Sequence, residues 1–321
     1  MKSKIYINSA NPFIFNSSGL CDTFDIMKKN LPAPVTSFPG LVSDEDVHRF
    51  QEKGYLAWNN VLSEDEVAEA RKGLSQIIEE HAFNEDRSLF RPSKNGGNAS
   101  FKSRSTNMFF ETEAGYQPSP EQRQDIELKV RKLMWFEKDA PIFQEIAFKH
   151  PKIRQVLSAI LGEGFTMFQS MALLKPPFLG SEKPWHQDNA YFSVTPLDAI
   201  VGIWIALDPA TAENGCMHVL EGAHKTGALR HHHDKDCEIM EDRLDPSAAV
   251  PVELKPGGVL FFYGMLPHQT PPNASPDRRR ALQFHYHAAH ARAIDAGEYD
   301  KVFAESDGTP ASCAAAREAG I

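Results

Sequence analysis

Three side chains in this sequence have the types and spacing to meet at one metal ion. Trp185-His186-Gln187-Asp188 sets an imidazole and a carboxylate two positions apart, and in an extended segment such residues point the same way. The competing reading is a polar turn after Pro184. His268, in Leu266-Pro267-His268-Gln269-Thr270, follows the strongly apolar stretch Val259 to Tyr263. From the end of a buried strand it can reach into a barrel mouth; the competing reading is an exposed loop histidine. Two imidazoles and one carboxylate suit non-haem Fe(II), leaving one face of an octahedron open. A third feature is Arg278-Arg279-Arg280, entering the apolar run from Ala281. A dicarboxylic cosubstrate needs a fixed cation, which a bidentate Arg supplies best. A solvated charge cluster is the alternative, and it suits one or two of the three.

These residues need a frame to hold them. The chain has 321 residues, 41% hydrophobic and 24% charged, enough for a large buried core. A formal net charge of −9 argues against a nucleic-acid binder and against broad contact with an anionic membrane. The longest apolar run, Ala199 to Leu207, is far too short to span a bilayer. The N-terminus, broken by Asn and Ser, does not read as a signal peptide. Cys21, Cys216, Cys237 and Cys313 are scattered without a C-x-x-C pair and read as free thiols, which makes a reducing cytoplasm the expected location.

Residues 1–40 read as an irregular arm, 41–295 as the functional domain and 296–321 as a tail. Within the domain, 41–163 is the helical part. Ser43 and Asp46 cap a short helix to about Lys53, and Ser63 with Glu66 forms a capping box ahead of Val67, Ala70, Leu74, Ile77 and Ile78 at helical spacing. Residues 83–118 lack a period and read as a long loop, with Arg104, Asn107 and Phe109 on a lid over the site. Ser119-Pro120 opens a further helix carrying Ile126, Val130 and Leu133, and Pro151 opens another that Gly162 stops. From 164 to 292 short apolar segments alternate with turns: 165–174, 199–207, 216–220, 258–263 and 280–288. Helices first and strands later give an α+β class with a barrel buttressed by helices.

The combination HQD, then NGCMHVLEGAHK, then HQTPPNASPDRRRAL resembles the phytanoyl-CoA dioxygenase family, over roughly residues 45 to 292. Phe50-Gln51-Glu52-Lys53-Gly54-Tyr55 and Leu174-Lys175-Pro176-Pro177 add to the likeness. The resemblance implies a double-stranded β-helix, a cupin-like jelly roll. It implies an Fe(II)- and 2-oxoglutarate-dependent dioxygenase that hydroxylates a small organic substrate, with O2 as second cosubstrate and succinate and CO2 released. By position, His186, Asp188 and His268 match the family's iron ligands. Arg279, eleven residues after His268, matches the Arg that binds the far carboxylate of 2-oxoglutarate, with Arg280 next if the register shifts by one. Gln187, Trp204 and Thr270 match cosubstrate contacts; Trp204 equally suits plain core packing. In related halogenases a small residue replaces the carboxylate, so Asp188 points to hydroxylation.

Asn189, Tyr191 and Phe192 follow the ligand pair and form a substrate wall or pack at a rim. Gln169 alternates with Met171 and Lys175; Gln169 is read as facing the pocket and Met171 as core. His285 and His287 share strand parity with Arg279. They contact substrate, join His290 in a second metal site, or form a polar strand face. His231-His232-His233 reads as a solvated loop, and His224 as part of a structural turn. Two other functions use the same residues differently: a zinc-dependent hydrolase with water in the open position, which has no use for Arg279, and a barrel that binds without catalysis.

Overall fold

The computed structural model describes residues 31–83, 90–91, 100–103, 106–111, 120–233 and 236–313. Its first part runs β1 (Thr36–Ser37), helix α1 (Asp44–Lys53), β2 (Tyr55–Asn59), helix α2 (Glu64–Ala82), β3 (Phe90–Arg91), β4 (Ser100–Ser103), β5 (Thr106–Phe110) and β6 (Val130–Met134). Two further helices follow, α3 (Pro141–Gln144), which continues as a π turn, and α4 (Pro151–Leu161). The expected capping boxes form at Ser43/Asp46 and Ser63/Glu66, each satisfying two backbone or side-chain donors at a helix start. Gly162, at φ +76°, ends α4.

The second part supplies β7 (Thr166–Lys175), β8 (Lys183–His186), β9 (Val194–Thr195), β10 (Ile200–Ala206), β11 (Met217–Val219), β12 (His231–His233), β13 (Cys237–Ile239), β14 (Val250–Val252), β15 (Val259–Tyr263), β16 (His268–Thr270), β17 (Arg279–His287), β18 (Arg292–Ala293) and helix α5 (Ala296–Val302). The major sheet has the order β1-β2-β15-β10-β17-β7-β6-β5-β4-β3, and the minor sheet β14-β11-β16-β8. Side-chain alternation divides the major sheet's two faces. Val201, Ile203 and Ile205 of β10, with Leu282 and Phe284 of β17, join the core shared with Leu74, Ile77 and Ile78 of α2. Trp204, Ala206, Leu260, Phe262 and Ala281 pack instead with Met217, Val219 and Val252 of the minor sheet. The central strands are therefore buried on both sides, which is why β10 reads as one continuous apolar run. The result is the jelly-roll barrel with helices on its outer face.

Several sequence expectations are corrected. Part of 83–118 is sheet: β3, β4 and β5 extend the major sheet beyond β6, with Thr106, Met108 and Phe110 buried. Arg104 lies outside the described residues. The helix expected after Pro120 is a 3-10 helix, Pro120–Lys129, followed by β6; Val130 and Leu133 are three apart, a helical spacing, and a register shift that skips Arg131 lets the strand bury both. His231 is not solvated. It is buried and paired in β12–β13. Cys237 and Cys313 are not free thiols; they form a disulfide across 76 residues, their Cα atoms 6.1 Å apart. Cys216 is free and buried, while Cys21 lies outside the described residues. The compartment inference drawn from free thiols loses its premise. The stretch read as a tail is structured to Cys313, with Tyr299 and Phe303 of and after α5 packed with Ala190, just beyond Asp188. No helix among the described residues is long and apolar enough to cross a membrane.

Candidate active site

β8 and β16 are neighbours in the minor sheet, and their register puts His186 opposite His268. Asp188 follows at the first residue of a 3-10 turn. One donor atom from each of the three lies within 4.8 Å of the others, and all three residues are buried. His186 Nε2 is 3.3 Å from Asp188 Oδ1, and His268 Nε2 is 3.7 Å from Oδ2. Both rings are turned the same way by a backbone carbonyl at Nδ1, Pro184 O at 2.8 Å and Leu266 O at 2.9 Å. That bond fixes the proton on Nδ1 and leaves the Nε2 lone pair for a metal. Burial, aided by His186, pushes His268 down to about 3, so it is a neutral ligand at physiological pH. Burial opposes ionisation of Asp188, but the surrounding His285 and His268 and the hydrogen bonds it accepts hold its carboxyl well below the usual range. His268 and Asp188 thus stand in their metal-binding protonation states.

His285 is the residue whose role changes most. Its parity does turn it into the barrel with Arg279 and Gln283. There its Nε2 donates to Asp188 Oδ2 at 2.7 Å, and Gln283 Nε2 donates to the same oxygen at 3.3 Å. A carboxylate only accepts, so His285 carries its proton on Nε2, and its Nδ1 is buried without a partner. It holds the ligand carboxylate; neither His287 nor His290 joins it in a metal cluster among the described residues.

The three donors open into a cavity of about 500 Å3. Arg279 and Thr270 line it, and Arg279 is 1% exposed. Its guanidinium donates to Leu173 O at 3.2 Å and Gly215 O at 3.1 Å, and Nε is left without a partner. Among the described residues no carboxylate forms a salt bridge with it. Burial lowers Arg279 to about 10, still a cation at neutral pH. Arg280 is engaged elsewhere, with Asp208 at 2.8 Å and Glu127 at 2.9 Å, and Arg278 also pairs with Glu127. Gly215, whose carbonyl accepts from Arg279, sits at φ +83° and lies so close to Pro271 O that a Cβ there would collide with it.

Other expected site residues divide between wall and scaffold. Gln169, Tyr191 and Phe192 line the cavity, and so does Met171, which the sequence reading placed in the core. Gln187 does not line it. Its amide donates to Gly227 O and Met265 O and accepts from Leu229 N, while its backbone N–H donates to His231 Nε2 at 3.0 Å. Asn189 is fully buried and donates to Leu197 O. Trp204 packs in the inter-sheet core, its ring 5.3 Å from the Arg279 guanidinium, so it supports that cation from behind. Sequence reasoning missed Lys132 and Met134 of β6, Phe168, and the cluster in which Lys183 pairs with Asp236, which also accepts from Tyr191 Oη at 3.1 Å. No motif marks these; only the pairing of β6 with β7 brings Lys132 and Met134 to the cavity.

A jelly roll with this donor set and a buried, unpaired arginine beside it defines the class of iron- and 2-oxoglutarate-dependent oxygenases. The chain belongs to the phytanoyl-CoA dioxygenase (PhyH) family, whose model matches residues 50–281. Phytanoyl-CoA dioxygenase 1 of Oryza sativa subsp. japonica is 30% identical over 257 residues, covering 77% of this chain and 89% of the relative. The human peroxisomal phytanoyl-CoA dioxygenase is 29% identical over 180 residues, 53% of this chain and 52% of that protein. Among solved structures, EvdO2 from Micromonospora carbonacea var. aurantiaca, complexed with 2-oxoglutarate, is 26% identical with a TM-score of 0.52, covering 80% of this chain and 95% of that one. EctD from S. alaskensis with bound Fe shares the fold, with 20% identity, a TM-score of 0.59 and coverage of 79% of both chains.

Proposed function

We propose that this protein hydroxylates a small organic molecule, converting 2-oxoglutarate and O2 to succinate and CO2. The observation that carries this reading is the sharing of one cavity by the His186, Asp188 and His268 donors and an Arg279 guanidinium without a carboxylate partner. The donor set fits iron: two imidazoles, an ionised carboxylate, and no fourth His, Cys, Asp or Glu in the cluster among the described residues. Iron and 2-oxoglutarate, when bound, supply the oxidative chemistry.

The chain's own residues do the rest. Arg279, with Thr270 beside it, holds the distal carboxylate of the cosubstrate by charge-assisted hydrogen bonds. His285 and Gln283 keep one Asp188 oxygen occupied, so the carboxylate offers its other oxygen in a fixed direction. Phe168, Phe192, Met134 and Met171 give the wall an apolar stretch that limits water at the reacting centre. Asp188, as a carboxylate ligand, supports hydroxylation in preference to halogenation. Gln169, Tyr191 and Phe192 are the substrate-facing residues this reading assigns.

Calorimetric titration of 2-oxoglutarate into the Fe(II)-loaded protein tests the cosubstrate assignment. Arg279→Ala is expected to weaken binding by at least about tenfold, the loss of a charge-assisted contact of about 1.5–3 kcal/mol, and Arg280→Ala to leave it within about twofold in the folded protein. The reverse pattern would overturn the assignment.

A further inference from the structure

Lys132 has a setting that neither metal nor cosubstrate accounts for. It lies on β6, opposite Leu173 of β7, and lines the cavity together with Met134. The same row continues through β7 to β17, where Leu173 pairs with Ala281 and Met171 with Gln283. Two strand spacings, about 10 Å, therefore separate Lys132 from the strand that carries Arg279 and the residues holding Asp188. The neighbouring cations are occupied: Lys183 pairs with Asp236, Arg131 donates to Glu182 O at 3.2 Å and lies 3.6 Å from Asp236, and Lys175 donates to the carbonyls of Ser181, Thr270 and Pro271. Lys132 has no hydrogen bond or ion pair among the described residues. Its ammonium sits 4.8 Å from the centre of the Phe109 ring. Burial, reinforced by Lys183 and partly offset by Asp236, pushes it down to about 8. A partly desolvated cation with no contacting counter-ion among the described residues, Asp236 being already paired with Lys183, gains from an anion brought to it.

We propose that Lys132 is the subsite for the anionic head of an amphipathic substrate, a monocarboxylate on an apolar body. This rests on the oxygenase reading of the same cavity. The apolar body lies along Met134, Trp135, Met171 and Leu173, which line the cavity that Lys132 shares with the metal donors. The hydroxylated carbon is then several bonds from the carboxylate. With Arg279 taken by the cosubstrate and the Lys175 ammonium by three backbone carbonyls, Lys132, facing Asp236 and Glu182 in the same cavity, suits a single negative charge and disfavours a phosphate dianion or a polyanionic thioester.

Anaerobic calorimetry on the full chain with Fe(II) and 2-oxoglutarate, using decanoate, decanamide and decyl phosphate as probes, tests this. Decanoate is expected to bind at least tenfold tighter than decanamide and tighter than decyl phosphate. Lys132→Met is expected to bring decanoate and decanamide within twofold, and Lys132→Arg to keep the preference. Equal binding of acid and amide by the unsubstituted protein, no binding of any probe, or a preference that survives Lys132→Met would overturn the subsite. Tighter binding of decyl phosphate would overturn the monoanion. The visible band of the iron–cosubstrate complex, recorded on the same sample, separates the two readings. Its absence counts against the oxygenase, while the heats still report on Lys132.

Discussion

His285 shows how a single side chain can set the quality of a site without touching the metal. Its 2.7 Å hydrogen bond to Asp188 Oδ2 resembles the outer partners of metal-bound ligands, whose loss typically lowers metal affinity about 10- to 100-fold. His285→Ala is expected to lower Fe(II) affinity by that range in a chelator competition while leaving the fold intact; unchanged affinity would remove its positioning role. Arg280 belongs to a different account. It is buried against Asp208 and Glu127, and removing one partner of such a pair costs about 3–5 kcal/mol because the other charge stays behind. Arg280→Ala should therefore lower the urea midpoint markedly, and Arg279→Ala should not. The sequence carried the residue types and the spacing from His268 to Arg279. It could not say which arginine faced inward, since that depends on the phase of β17 against Asp208.

At the element scale, the site depends on how the His186–Asp188 segment is clamped. Gln187 is held by backbone groups of 227, 229 and 265 and by His231. Tyr299 donates to Asn189 O, and Cys313 N–H to Ala190 O. The Cys237–Cys313 disulfide ties this C-terminal layer to the strand after Asp236, the partner of Lys183. Replacing both cysteines by serine should destabilise the protein by about 2–4 kcal/mol, seen as a lower melting temperature that added reductant does not reduce further. A melting temperature equal to that of the oxidised parent would contradict this. Local signals made the capped helices and the apolar strands readable, because capping boxes and two-sided burial leave patterns within a few residues. The clamp was not readable. Gln187–His231 and Cys237–Cys313 join residues 44 and 76 apart, and nothing in either neighbourhood signals the other. β6 failed for the opposite reason: Val130 and Leu133 are three apart, the spacing of a helix face, and only the register shift that skips Arg131 lets a strand bury both.

For the whole molecule, buried neutral histidines link stability to pH. Burial lowers His231 from 6.5 to about 3, so between those values the unfolded chain binds a proton that the folded chain does not. Stability then rises with pH through this window and is lost as pH falls below about 6.5, by up to about 1.4 kcal/mol per unit for this residue. Urea unfolding of the metal-free protein should show a falling midpoint from pH 6.5 to 4.5, with a shallower slope in His231→Gln; identical slopes would assign the dependence elsewhere. The molecule as a whole is a barrel whose inner rows converge on one cavity, with the candidate metal donors from the minor sheet and the Arg279 cation, proposed to hold the cosubstrate, from the major one. The most direct test of that convergence is an anaerobic titration of the metal-free protein with Fe(II) and then 2-oxoglutarate, following the visible charge-transfer band. A band that forms at one equivalent of each and is lost in His186→Ala is the predicted result. Bound iron without a band in folded protein, or zinc retained where iron does not bind, would contradict the account.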